Sequence, residues 1–66
     1  MRPSHIPVNE QIEWNFKLIT RTVKRLDKNN FIIHDTSDGW MVATATLSQM
    51  RLLETGRMNL DELDWK

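Results

Sequence analysis

Residues 10–28 read EQIEWNFKLITRTVKRLDK, and the order of apolar residues in this stretch decides the predicted fold. Its apolar side chains recur at spacings of four, three, four and three residues, which places them on one face of an α-helix. Asn9 is a suitable N-cap, and basic residues near the far end suit the negative end of the helix dipole. The sequence therefore predicts a long N-terminal amphipathic helix over 10–28. Its apolar face comprises Ile12, Phe16, Ile19, Val23 and Leu26.

A two-stranded antiparallel β-hairpin is predicted next, over 30–46. Residues 31–34 are β-branched and aromatic, and 40–45 have the composition of a returning strand. Between them lies the Asp38-Gly39 pair, a strong turn signal because glycine accepts the positive φ that such turns require.

The register of this hairpin determines which side chains share a face. If Asp35 pairs with Trp40, both faces carry several apolar side chains. A ribbon packed on one helix normally has one polar face, so the second must be covered by another helix or by a partner. An open edge could also pair with a second copy. The predicted faces are Phe31, Ile33, Val42 and Thr44 on one side, and Ile32, His34, Met41, Ala43 and Ala45 on the other.

Two shorter helices are predicted after the hairpin. Thr46 and Gln49 form a capping-box pattern that opens a helix over 47–55, and Gly56 supplies its C-terminal stop. Asn59 and Glu62 repeat the cap pattern and begin a short helix over 59–65. The predicted fold class is α+β in the order α-β-β-α-α, as a single small domain over 1–66 that starts with an irregular arm, 1–8.

Composition limits the classes of function. The chain has 66 residues, no cysteine, and nine basic against nine acidic residues. The lack of cysteine excludes disulfides, thiolate catalysis and cysteine-ligated zinc, and favours a cytoplasmic location. No stretch approaches the roughly 20 apolar residues of a membrane span, so no membrane association is expected. A chain this short has a small core, which raises the expectation of self-association as a homodimer or docking on a partner.

The polar residues do not form a pattern typical of catalysis. His5 and His34 are far apart in sequence and lack the spacing of a metal site. Asp35 and Asp38 flank the predicted turn, where aspartates usually shape the backbone. We therefore predict no catalytic residues, no metal and no cofactor, and a protein that is not an enzyme.

A second stripe on the predicted helix is the main candidate for partner binding. On a wheel of 100° per residue it lies away from the apolar face and combines tryptophan and arginine, the types enriched at binding hot spots. The alternatives are a surface cation–π stack beside a scattered exposed leucine, and a nucleic-acid face in which the tryptophan stacks on a base. The stripe is Trp14, Leu18, Arg21 and Arg25, with Lys17, Lys24 and Lys28 as candidate contacts to phosphate or an acidic partner.

The C-terminal residues form a second candidate surface. Leu60, Leu63 and Trp65 could anchor a short helix in a partner's groove or complete the chain's own core. Residues 1–35 carry six basic and four acidic groups, whereas 36–66 carry three basic and five acidic groups. The zero net charge is thus the sum of two opposite halves, which could pair within the molecule or between copies.

The leading functional hypothesis is a small protein-binding regulator, inhibitor or adaptor. Its size is typical of accessory proteins of viruses and mobile elements. The alternative is a nucleic-acid-binding protein that uses the basic face of helix 10–28, with affinity that falls steeply with salt. The predicted order of elements occurs in many unrelated proteins and implies no function by itself.

Overall fold

The computed structural model describes residues 2–16, 18–35 and 41–66. A 3-10 turn at Pro3–His5 precedes four strands: β1 (Gln11–Phe16), β2 (Ile19–Arg25), β3 (Asn30–Asp35) and β4 (Met41–Thr46). The helix α1 (Leu47–Glu54) follows, and then a second 3-10 turn at Leu60–Glu62. The strands form one antiparallel meander in the order β1-β2-β3-β4.

The prediction of a long helix over 10–28 was wrong, and so was the predicted order α-β-β-α-α; the fold is α+β, with a four-stranded antiparallel meander followed by one short helix. This stretch forms β1 and β2, which pair antiparallel from Gln11 opposite Lys24 to Phe16 opposite Ile19. The residues of β1 alternate strictly between polar and apolar, which is the period of a half-buried strand. The same apolar positions also satisfy the helical spacing. The sequence between Phe16 and Ile19 contains no glycine, proline or asparagine that would have indicated a turn between two strands.

The hairpin predicted over 30–46 is present as β3 and β4, but its predicted register was wrong by one residue. Asp35 lies opposite Met41, and Ile33 lies opposite Ala43. A shift of one residue moves every side chain of β4 to the other face of the sheet. Residues 36–39 of the predicted turn lie outside the described residues. So does Trp40, the predicted partner of Asp35.

The corrected register gives the sheet two different faces. The core face carries the buried side chains of all four strands, and the open face is mostly polar. Side chains that lie opposite each other in antiparallel strands share a face, which defines both sets. The core face includes Ile12, Trp14, Phe16, Val23, Phe31, Ile33, Ala43 and Ala45; the open face includes Gln11, Glu13, Asn15, Thr22, Lys24, Ile32, His34, Val42 and Thr44.

The hydrophobic core lies between the core face and the segments that pack on it. α1 packs on β3 and β4 and contributes the buried Met50 and Leu53. The N-terminal arm, predicted to be irregular, is docked: Ile6 is fully buried, and the amide and hydroxyl of Ser4 donate to the Glu54 carboxylate at 3.1 and 2.9 Å.

The ends of α1 follow the predicted signals. Thr46 and Gln49 form the capping box, with each side chain bonded to the backbone N–H of the other residue. At the other end Gly56 has a φ of 76°, and the N–H of Arg57 donates to the carbonyl of Leu52 at 2.9 Å. With the Gly56–Leu53 bond of 3.2 Å, this is a Schellman motif, which uses glycine because a side chain disfavours positive φ.

The C-terminal segment, residues 57–66, returns to the sheet. The helix predicted over 59–65 is reduced to the second 3-10 turn, where the Asn59 amide donates to the Glu62 carboxylate at 2.8 Å. Trp65 then forms an antiparallel bridge with Ala43 at the outer edge of β4. Within the described ranges no helix is long and apolar enough to cross a membrane, and α1 has eight residues.

Candidate interaction surfaces

The four residues of the predicted Trp/Arg stripe do not form one surface, because the helix that would align them does not exist. Trp14 is only 9% exposed on the core face of β1, and its ring stacks on Phe16 with the centroids 4.7 Å apart. In a sheet, Trp14 and Arg21 are direct cross-strand partners. The arginines and Leu18 therefore have separate environments.

Arg21 is an internal ion-pair residue. Its Nε donates to Asp35 Oδ2 at 2.9 Å, and the two side chains are 10% and 17% exposed. Nη1 also donates to the carbonyl oxygen of Phe16 at 3.2 Å. Arg21 thus connects the end of β3 to the end of β1, and a partner would have to compete with these bonds for its guanidinium.

Arg25 fixes the other end of the β1–β2 hairpin. Its guanidinium donates to three carbonyl oxygens, of Ile6 at 2.8 Å, Asp27 at 3.2 Å and Lys28 at 2.6 Å. The same group lies 5.1 Å from the centroid of the Phe31 ring, in a cation–π arrangement. The fork of five N–H donors suits this task, since one planar group can bind carbonyls in several directions.

The three lysines of the predicted basic face are dispersed. Lys24 is half-buried on the open face, Lys28 lies in the turn between β2 and β3, and Lys17 lies outside the described residues. The tryptophan and phenylalanine rings of the described sheet, Trp14, Phe16 and Phe31, are all on the core face, which leaves the half-buried imidazole of His34 as the one ring on the described part of the open face.

The C-terminal anchor residues pack on this chain's own sheet. Leu60 and Leu63 are buried in the core, and Trp65 packs against it. The indole Nε1 of Trp65 donates to the carbonyl oxygen of Leu60 at 2.8 Å, which folds the segment back on itself. Of the two alternatives for these residues, the structure has the one in which they complete the chain's own core.

The tip of the β1–β2 hairpin is the most exposed apolar point of the described chain. Leu18 is 97% exposed, and its neighbour Ile19 is 38% exposed. The backbone of Leu18 has a φ of 67°, in the left-handed region that leucine rarely occupies. The conformation costs roughly 1–2 kcal/mol for a residue with a side chain. Sequence reasoning did not predict this strained position, because glycine or asparagine is the usual residue there.

A small groove lies at the same end of the sheet as the hairpin tip. It encloses about 250 Å³ and is lined by the Arg21–Asp35 ion pair, two apolar side chains, one indole and one carboxylate. This is below the ~300–1,000 Å³ that ligand pockets usually have. The remaining lining residues are Met41, Leu60, Asp61 and Trp65.

The described residues contain no group of three or more acidic or histidine side chains placed to hold a metal ion. His5 is exposed and His34 is on the open face. Asp27 has a lowered pKa, because the side chain of Asn30 and the amide of Asn29 donate hydrogen bonds to its carboxylate. These bonds shape the turn between β2 and β3.

Comparisons of the chain with protein-family models, with curated proteins and with solved structures find no match.

Proposed function

We propose that this chain is a small, non-enzymatic, cytoplasmic protein-binding regulator, inhibitor or adaptor that contacts its partner through the tip of the β1–β2 hairpin. The observation that carries the proposal is Leu18, a large apolar side chain that is 97% exposed and held at a φ of 67°. Burying a leucine side chain stabilises a complex by about 1.5–3 kcal/mol, which only a partner can supply at this position.

The proposal differs from the helix-face hypothesis in the residues that make the contact. Trp14 is buried, and the guanidinium groups of Arg21 and Arg25 are engaged within the chain, so we assign these three side chains to the fold. We assign the contact with the partner to Leu18 and Ile19 instead. Both are apolar, exposed and adjacent in sequence at the end of the hairpin, so one partner surface can bury them together.

The nucleic-acid alternative has less support. Its two arginines are held by hydrogen bonds within the chain, and Lys24 and Lys28 belong to different surfaces. A phosphate-tracking groove needs several free cations in a row beside exposed aromatic rings. No specific observation favours this function over a protein contact.

The test is a variant that removes the apolar tip while improving the fold. Leu18→Gly relieves the positive-φ strain, so we expect it to raise the free energy of unfolding by about 1 kcal/mol. The same variant should lose a partner that the unmodified chain, immobilised, captures from its source cells. A rise in thermal stability together with a loss of capture cannot result from misfolding.

The matched control is Leu52→Ala, which removes another exposed leucine, on α1. It should capture the partner as well as the unmodified chain does. Equal capture by Leu18→Gly and Leu52→Ala would contradict the assignment of the hairpin tip as the contact.

A further inference from the structure

The two edges of the sheet differ in whether this chain covers them. At the β4 edge, the amide of Lys66 donates to the Val42 carbonyl at 2.9 Å, and the Val42 amide donates to the Lys66 carbonyl at 3.2 Å. The Ala43–Trp65 bridge continues this pairing. At the other edge, none of the described strands lies beyond β1.

The backbone groups that β1 offers to a further strand can be identified from its pairing with β2. The amide of Arg25 donates to the carbonyl of Glu10, just before β1, at 3.0 Å. Residues that bond to the neighbouring strand alternate along an antiparallel pair, so the even-numbered residues of β1 bond to β2. The N–H and C=O groups of the odd-numbered residues then point away from the sheet. These residues are Gln11, Glu13 and Asn15, whose side chains are exposed on the open face.

β1 has few of the features by which natural edge strands avoid pairing. Its sequence, QIEWNF, contains no proline and no lysine, and a single charged residue, Glu13. The backbone irregularity at Asn9, with a φ of 70°, precedes the strand and does not interrupt it. Six residues of regular edge are therefore available for pairing.

We propose that a second copy of this chain pairs antiparallel along β1, about a two-fold axis at Trp14, and joins the two sheets into one. In this arrangement Glu13 lies opposite the partner's Asn15, and Asn15 lies opposite the partner's Glu13. Each of these pairs exchanges both of its N–H···O bonds, since both residues present their backbone groups outward.

Two registers pair five of the six residues of β1 and keep opposite residues on the same face, one with the axis at Glu13 and one with the axis at Trp14, and charge distinguishes them. An axis at Glu13 would place two carboxylates directly opposite each other, which destabilises a sheet. An axis at Trp14 places an amide opposite each carboxylate. On the core face it places the half-buried Ile12 opposite the partner's Phe16, so that apolar side chains meet across the new pair.

This inference goes beyond the proposed function, because it uses the backbone of β1 and not the side chains of the hairpin tip. The two proposals fail separately: loss of self-association leaves capture through Leu18 untouched, and the reverse also holds.

Disulfide trapping tests the register directly, because the chain has no cysteine of its own. Paired residues of this kind have Cα atoms about 5.5 Å apart, within the range that a disulfide spans. A mixture of Glu13→Cys and Asn15→Cys chains should form the mixed disulfide under mild oxidation. Glu13→Cys alone should form far less, since two copies of position 13 would be separated by about 8–9 Å. Thr44→Cys, on β4, is the control.

Efficient self-linking of Glu13→Cys would overturn the register, because that is the product of an axis at Glu13. Equal linking by Thr44→Cys would mean that the linking reflects random collision and would overturn the assignment to β1.

Charge substitution at Asn15 tests the same pairing without a covalent bond. Asn15→Glu faces the partner's Glu13 with a like charge twice per dimer, and Asn15→Lys faces it with an opposite charge. Sedimentation equilibrium should give a dimer dissociation constant raised on the order of tenfold by Asn15→Glu and lowered to a similar extent by Asn15→Lys. Thr44→Glu and Thr44→Lys change an exposed residue of β4 on the same open face of the sheet, and they should leave the dimer dissociation constant unchanged. A chain that is monomeric at about 1 mM overturns the inference, as does equal association of the two Asn15 variants.

Discussion

The two halves of the sheet are held together by different kinds of interaction. In the C-terminal half, β4 runs directly into α1 through the Thr46–Gln49 capping box, and the helix packs on β4 and β3. In the N-terminal half, two arginines bind carbonyl and carboxylate oxygens at the two ends of the β1–β2 hairpin. The turn of that hairpin contains a strained leucine.

The difference shows how a hairpin can form without a favourable turn. A turn that is specified locally needs glycine or asparagine at positive φ, and the β1–β2 turn has Leu18 there. Contacts that are distant in sequence compensate, such as the Arg25–Ile6 bond and the Arg21–Asp35 pair. The C-terminal half depends more on signals that are close in sequence, such as the Schellman motif at Gly56.

The largest expected effect comes from Trp14→Ala, which would distinguish a strand from a helix in the N-terminal half. On β1 the indole is buried, so its removal should lower the free energy of unfolding by about 3–5 kcal/mol. That is much of the total stability expected for a domain of this size. Urea unfolding followed by circular dichroism measures the change. Trp14→Phe retains a ring against Phe16 and should lose clearly less.

The control for Trp14→Ala is Leu52→Ala, which removes an exposed side chain from α1. On the outer face of a helix over 10–28, Trp14→Ala would be as mild as Leu52→Ala. Equal effects of the two variants would therefore contradict the strand assignment and the difference between the halves.

The sequence predicted the C-terminal half better than the N-terminal half for a physical reason. Thr46, Gln49 and Gly56 act on backbone groups a few residues away, so their effect can be derived without knowledge of the rest of the chain. The predicted capping box and helix stop are confirmed. The β3–β4 register was wrong by one residue, because it depends on the turn geometry and on which face meets α1.

Sequence reasoning could not distinguish one helix from two strands in the N-terminal half, because two periodicities fit the same residues. Ile12, Phe16, Ile19 and Val23 satisfy helical spacing, and they also occupy the core face of two strands that reverse at Leu18. Only the side chains between them, Glu13, Asn15, Thr20 and Thr22, alternate with the period of a strand. The same error defined the candidate binding stripe, since a helical wheel placed Trp14 and the arginines together on the outer face of the predicted helix.

A smaller effect is expected from Arg25→Lys, which tests whether the geometry of the guanidinium holds the N-terminal half. Lysine keeps the charge but cannot bind the carbonyls of Ile6, Asp27 and Lys28 with one planar group. We expect a loss of about 1–3 kcal/mol in the free energy of unfolding, because three charge-assisted bonds are weakened or lost.

Arg51→Lys is the matched control for Arg25→Lys, because Arg51 is exposed on α1 in the C-terminal half. Its effect should remain within about 0.5 kcal/mol. If Arg25→Lys were equally mild, charge alone would account for the role of Arg25, and the contrast between the two halves would lose its main support.

The smallest effect concerns Asp27, in the turn that joins the two halves. Its pKa is lowered from 3.8 by hydrogen bonds from the Asn30 side chain and the Asn29 amide. A carboxylate whose pKa is lower in the folded state stabilises the fold above its unfolded pKa, and the contribution disappears as the pH falls through the folded pKa. We therefore expect the difference in melting temperature between the unmodified chain and Asp27→Asn to be present at pH 6 and to shrink below about pH 4. Asp64→Asn, at an exposed position of the C-terminal segment, controls for the loss of one negative charge. A difference that stays constant from pH 6 to about pH 2 would mean that the ionised carboxylate does not hold this turn.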